Sequence, residues 1–196
     1  MNILAIIGSP RKRGNSTLLL EEFLAGAQAA GAQSEIIRPW KMKLAPCIAC
    51  EGCYKTGRCV VKDEFQAVYD QIIAADALVL ATPIYFGGTS AQVKPLIDRG
   101  QCFWAMRDVV KAPMPPAPGG RPRRGVLIAT SGIRRDEMFD GARRPFAFWM
   151  RSLQGEVWGE LVRSGLEDQG EILQDAPTLE LARQMGQRLA AGLEPA

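Results

Sequence analysis

The stretch Asn2-Ile3-Leu4-Ala5-Ile6-Ile7-Gly8-Ser9-Pro10-Arg11-Lys12-Arg13-Gly14-Asn15-Ser16-Thr17 decides the fold. Residues 2 to 7 form an apolar run without alternation, the pattern of a strand buried on both faces of a parallel sheet. Leu18, Leu19, Phe23 and Leu24 then follow at helical spacing, up to a C-terminal stop at Gly31. The turn between strand and helix is rich in Gly, Ser, Asn and Thr, so free backbone N–H groups and the positive end of the helix dipole face whatever lies in it. That is an anion site. The hydroxyls of Ser9, Ser16 and Thr17 and the guanidinium of Arg11 or Arg13 would add donors to a phosphate. The glycines are six apart and no Gly-Lys-Ser/Thr occurs, so the turn is neither a Walker A loop nor a dinucleotide fingerprint. The other reading is a plain strand-to-helix turn with Asn15 or Ser16 as N-cap.

Composition bounds the chemistry. The 196 residues suit one domain, with 47% hydrophobic and 23% charged residues, a globular composition. No apolar run approaches the roughly 18 residues that cross a bilayer, and no basic segment precedes the N-terminal apolar run, which reads as a cytoplasmic protein. A net charge of +3 argues against nucleic acid as partner, and the paired arginines read as solvated faces. The chain has no histidine, which removes histidine-based acid–base catalysis and mixed Cys/His metal sites. Its five cysteines, without an export signal, do not read as a disulfide framework.

Further along, residues 34–39 read as a second strand, 64–75 as a helix and 77–81 as a third buried strand. A helix is expected from Ala91. A fourth strand covers 125–130, a helix broken at Pro145 covers 139–153, a fifth strand covers 156–162, and a last amphipathic helix covers 177–191. Strands alternating with helices imply right-handed parallel units. The predicted fold is α/β: a three-layer, doubly wound, five-stranded parallel sheet of order 2-1-3-4-5. It spans residues 1–196 as one domain, with a cysteine-bearing insertion at about 40–63 and a proline-rich arm at about 112–124. That order sets the loops 8–17, 82–90 and 130–138 side by side at the switch point where ligands bind.

The second loop, Thr82-Pro83-Ile84-Tyr85-Phe86-Gly87-Gly88, is unusually apolar. A planar heterocycle against Pro83, Ile84, Tyr85 and Phe86, its polar edge near the backbone of Gly87, would account for that; packing beneath the next helix is the alternative. Gly8-Ser9-Pro10-Arg11, then Gly14-Asn15 and Ser16-Thr17, resembles the phosphate loop of the flavodoxin-like NAD(P)H-dependent flavin mononucleotide (FMN) reductases. Pro83-Ile84-Tyr85-Phe86-Gly87, with the following Ser90-Ala91-Gln92-Val93-Lys94 and Asp98-Arg99, is similar to the isoalloxazine loop and helix of the same family. The resemblance implies FMN as cofactor, with Ser131 and Gly132 of the third loop also at the flavin. A flavin carries its own hydride chemistry, so the lack of histidine is no obstacle.

Cys47, Cys50, Cys53 and Cys59 lie within thirteen residues, with two, two and five residues between successive members. Thiolates this close need a counter-charge, and a metal supplies it. Structural zinc sites usually draw on two separated pairs, so the compact spacing favours one [4Fe–4S] cluster, with zinc or free thiols as alternatives. Val60 stands where two-cluster ferredoxins carry proline, and no second cysteine set exists, so the four would serve one centre. This spacing, after strand 2, resembles the iron–sulfur flavoprotein branch of the family. Cys102 reads as a buried apolar residue.

The resemblance implies a homo-oligomeric redox flavoprotein. It would pass electrons between a low-potential donor, ferredoxin or NAD(P)H, and an acceptor, with no separate nicotinamide site required. Two other functions fit the same residues. One is a cluster-free NAD(P)H-dependent FMN or quinone reductase; the other is a non-catalytic electron carrier or redox-sensing module.

Overall fold

The computed structural model describes residues 1–195. Five parallel strands form its sheet: β1 (Asn2–Ile7), β2 (Gln33–Ile37), β3 (Ala77–Tyr85), β5 (Arg124–Ser131) and β6 (Glu156–Ser164). A two-residue strand, β4 (Gly88–Thr89), pairs antiparallel with the end of β3. The order is β2-β1-β3-β5-β6, which is the expected 2-1-3-4-5 once β4 is set aside. The helices are α1 (Asn15–Ala29), α2 (Phe65–Ala74), α3 (Lys94–Arg99), α4 (Gln101–Asp108), α5 (Asp140–Ser152) and α6 (Ala176–Ala190). This is a flavodoxin-like α/β fold.

The pleat sorts each central strand between two cores. Ile3, Ala5 and Ile7 of β1 join α1 and α6 on one face, while Leu4 and Ile6 join the α2, α4 and α5 side on the other. Val79 and Leu80 of β3 divide in the same way. A strand buried on both faces has no polar side, hence the unbroken apolar runs. Gly31, at φ +85°, closes α1 in the left-handed conformation, with its N–H on the Gln28 carbonyl at 2.9 Å.

Four local expectations need correction. β2 ends at Ile37, because Pro39 opens a short 3-10 turn, Pro39–Lys41. The helix expected from Ala91 begins at Lys94, and Gly100 divides it into α3 and α4. The Trp149 indole sits so close to Gly100 that a Cβ there would lie 2.5 Å from it. Pro145 does not break α5. The carbonyl it leaves without a helical donor belongs to Gly141, which forms a β-bridge with Gly88 outside the helix. Finally, the tight pairing of Tyr85 with Gly88 makes residues 84–89 a hairpin. Phe86 (φ +49°) and Gly87 (φ +73°) supply the two left-handed residues that a type I′ turn requires.

The proline-rich segment has no regular structure over 112–123, Arg124 already belonging to β5, and it is tied to its own chain. Arg123, buried, donates to the carbonyls of Ile73 (2.7 Å) and Ile72 (3.3 Å) at the end of α2 and to that of Pro115 (2.9 Å). After the 3-10 turn at Pro39–Lys41, the residues up to α2 form an irregular segment with a second 3-10 turn at Gly52–Lys55.

Candidate functional site

The C-terminal ends of β1, β3 and β5 open into a cleft of about 490 Å³. Ser9, Arg11, Gly14, Asn15 and Ser16 line it from the first loop. Pro83, Ile84, Tyr85 and Phe86 line it from the second, and Ser131 and Gly132 from the third. Two expected residues stand back: Thr17 and Gly87 are not part of the wall, Thr17 being buried one position further into α1 and Gly87 turned into the hairpin. Phe86, at the hairpin tip, is fully exposed and Tyr85 is exposed, while Ile84 packs against the core that includes Leu96 of α3.

Hydrogen bonds knit the loops together. The Gly8 N–H donates to the Ala81 carbonyl at 2.7 Å, and Ser90 Oγ donates to the Gly8 carbonyl at 2.7 Å. The Ser90 N–H donates to Thr82 Oγ1 at 3.2 Å. Gly14 is the N-cap of α1, and no side chain caps that helix. A Cβ at Gly14 would lie 2.4 Å from Ser9 Oγ, so only glycine allows the turn to close on Ser9. Asn15 does not cap either, because its amide is used elsewhere. It donates to the Asp168 carbonyl at 2.9 Å and accepts from the Ile172 N–H at 3.2 Å.

The first turn of α1 has what an anion needs. It contains no acidic residue. The first intrahelical bond runs from the Leu18 N–H to the Gly14 carbonyl at 3.0 Å, leaving the N–H groups of the first turn free of helical partners. Ser16 Oγ and Thr17 Oγ1 are buried and have no hydrogen-bond partner among the described residues. A buried, unpaired hydroxyl costs about 1–3 kcal/mol. A phosphate at the helix N-terminus would meet the helix dipole and lie beside Ser16, which lines the cleft, with Thr17 one residue behind it.

A fourth wall comes from the segment after β6, which the sequence did not point to. Leu166 and Glu167 line the cleft, and the Leu166 N–H donates to the Ser131 carbonyl at 3.0 Å. Gly165, at φ +78°, turns the chain back over the third loop. The one sequence signal was that glycine directly after the last strand.

The cysteines lie in a different place. Cys47, Cys50, Cys53 and Cys59 all line a second cavity, of about 720 Å³, walled by apolar side chains that include Tyr54, Trp104 and Trp149. Cys47 and Cys50 are exposed, Cys59 half-buried and Cys53 buried. Among the described residues, no three Cys, Asp or Glu side chains gather closely enough to hold a metal ion, so the expected four-thiolate shell is not drawn together here. Thiols gather only where a cation balances them, and without one each follows its own packing. The donor chemistry of the four closely spaced cysteines is that of a soft metal or cluster all the same, although Glu51 and Asp98 also line the cavity. The loop backbone is unusual, since Ala49 (φ +51°) and Glu51 (φ +57°) flank Cys50 in the left-handed region.

Burial pushes the Cys53 thiol up, and the neighbouring Cys59, Cys47 and Cys50 add to the effect. Cys102 is buried at the same cavity, and burial, then Cys59 and Cys53, push its thiol up to about 12. It stays protonated at neutral pH, in keeping with the apolar role expected of it.

A parallel sheet whose first turn offers free N–H groups to an anion, and whose neighbouring loops offer aromatic and glycine-lined walls, is the arrangement of the flavodoxin-like fold. Comparison with known proteins makes this specific. The family model for NADPH-dependent FMN reductase matches residues 1–136. An iron–sulfur flavoprotein of Methanocaldococcus jannaschii is 40% identical over 101 residues, 52% of this chain and 52% of its own. One from Archaeoglobus fulgidus is 38% identical over 138 residues, 68% of this chain and 61% of its own. The chain thus spans little more than half the length of the curated relatives it matches. The NAD(P)H:quinone oxidoreductase structure from Methanothermobacter marburgensis superposes with a TM-score of 0.66 at 19% identity, covering 96% of each chain, and shares the fold. The chain belongs to the NADPH-dependent FMN reductase family, and iron–sulfur flavoproteins are among its relatives.

Proposed function

We propose that this protein binds FMN in the cleft formed by the loops after β1, β3 and β5, and one [4Fe–4S] cluster at Cys47, Cys50, Cys53 and Cys59. It would pass electrons between a low-potential donor, ferredoxin or NAD(P)H, and an acceptor, as a homo-oligomer in the cytoplasm. The observation that carries the reading is the pair of buried, unpartnered hydroxyls of Ser16 and Thr17 at the start of α1.

In this reading Ser9, Gly14, Asn15, Ser16 and Thr17 hold the phosphate, and Arg11 supplies a cation at its exposed side. Pro83, Ile84, Tyr85 and Phe86 flank the ring, while Gly87, Ser131 and Gly132 present backbone to its polar edge. The flavin, when bound, supplies hydride and single-electron transfer; the chain orients it and leaves one face open. The cysteines would supply four thiolates to the cluster, whose chemistry is single-electron exchange. Support comes from their shared cavity and from relatives that carry the iron–sulfur name.

Anaerobic visible spectra of the wild type and Cys50→Ser test the reading. The variant should lose the broad iron–sulfur absorbance and keep the flavin bands; identical spectra would defeat the cluster assignment. A second reading, a cluster-free NAD(P)H-dependent reductase, is favoured by the dispersed sulfur atoms. It requires rapid NAD(P)H oxidation by iron-free protein.

A further inference from the structure

Arg99 ends α3, and its side chain is only 1% exposed. An arginine is almost never buried so completely unless it is paired. Its partners come from both ends of the cysteine loop. Nη1 donates to Asp63 Oδ2 at 2.6 Å and to the Ala45 carbonyl at 3.1 Å, and Nη2 donates to the Val61 carbonyl at 3.3 Å. Asp63 also accepts from the Ala45 N–H at 2.9 Å and the Phe65 N–H at 3.1 Å. The guanidinium carbon lies 4.2 Å from the centre of the Phe65 ring.

Ala45 stands two residues before Cys47, and Val61 two residues after Cys59. One planar fork therefore holds the neck of the whole ligand loop, a geometry that the single ammonium of lysine does not reproduce. Of the donors left over, Nε–H is buried and has no partner among the described residues. Arg99 and Cys59 line the same cavity. Burial alone would push the guanidinium pKa down, but the Asp63 hydrogen bond and the adjacent Cys59 sulfur outweigh it and the net shift is upward.

We propose that Arg99 is a positioning residue for the cysteine site: its guanidinium closes the neck of the loop, and its buried charge and free Nε–H stabilise the negative charge of a thiolate-bound centre. The charge half of this rests on the cluster reading above; the neck half does not. A net positive charge near an iron–sulfur centre favours its reduced form, so loss of Arg99 lowers the reduction potential.

Wild type, Arg99→Lys and Arg99→Gln, each purified anaerobically, are compared in three ways: iron and FMN per chain, midpoint potential of the centre, and rate of tryptic cleavage after Lys55 and Arg58 inside the loop. Arg99→Gln should be cleaved at least tenfold faster and show a lowered potential in the fraction that retains iron. Arg99→Lys should also be cleaved faster while keeping the wild-type potential, a split that a merely structural role would not produce. Wild-type cleavage and potential in Arg99→Gln would overturn the proposal. If Arg99→Gln does not accumulate, Asp63→Asn breaks the same neck with the cation kept; faster cleavage upholds the closure and unchanged cleavage overturns it. Iron-free wild-type protein would defeat the cluster reading and with it the charge half, while the cleavage rates would still decide the neck.

Discussion

Replacing Ser16 by alanine should move two quantities in opposite directions. Ser16 Oγ is buried at the first turn of α1 with no partner, so the flavin-free protein carries its desolvation cost uncompensated. Removing it recovers about 1 kcal/mol, at the low end of the range for a buried unpaired hydroxyl, and alanine is also the better helix former. For a domain of this size that raises the melting temperature by about 2–4 °C. In the proposed FMN complex the same change would remove a donor to the phosphate, and a hydrogen bond to a charged group contributes about 1.5–3 kcal/mol. The FMN dissociation constant should therefore rise about ten- to hundredfold, at about 1.4 kcal/mol per decade. Thermal melts of deflavinated protein and a flavin-fluorescence titration give both numbers. A lower melting temperature with unchanged FMN affinity refutes the reasoning, since Ser16 would then be a packing residue and the anion site would lie elsewhere.

The other predictions follow from close contacts and burial. A Cβ at Gly141 would lie 1.9 Å from the Gly87 carbonyl oxygen, so Gly141→Ala should displace the exposed 85–88 hairpin and weaken FMN binding while α5 itself stays folded; isothermal titration with unchanged affinity would contradict this. Gly186 on α6 brings its Cβ position within 1.9 Å of the Phe23 carbonyl oxygen on α1, so Gly186→Ala should force the two helices apart and cost about 1–3 kcal/mol by urea unfolding. Tyr69 is stacked on Phe103 with centroids 4.7 Å apart, and above all burial pushes its phenol up to about 12. Because the folded value lies above the unfolded one near 10, this contribution is intact below pH 10 and is lost as pH rises towards 12, by about 2 kcal/mol. Tyr69→Phe should lose correspondingly less stability over that interval, and equal losses would count against it.

The strands that carry the site were readable because burial on both faces leaves an unmistakable apolar run, as at 3–7 and 77–81. The first two loops were readable because an anion turn and an aromatic-glycine turn need particular residue types at particular spacings. What escaped depends on contacts far apart in sequence. The hairpin at 84–89 was hidden because Phe86 occupies a left-handed position that aromatic residues seldom take. Pro145 signalled a break, but Gly141 has a β-bridge partner on the hairpin that no local rule reports. Arg99 stood only as part of a short motif; its partners at Ala45, Val61 and Asp63 are 36 to 54 residues away, and a buried arginine has no periodic signature. Leu166 and Glu167 reach the cleft only because Asn15 and Ser131 hold their segment there.

The central claim is one flavin and one cluster on the same chain. Iron, sulfide and flavin assays on a single anaerobically purified sample test it most directly. The account predicts about four irons, about four sulfides and one FMN per chain, as a single cluster of that type requires. FMN without iron or sulfide would contradict it, leaving Cys47 to Cys59 as thiols or a zinc site and the protein as a simple NAD(P)H-dependent reductase.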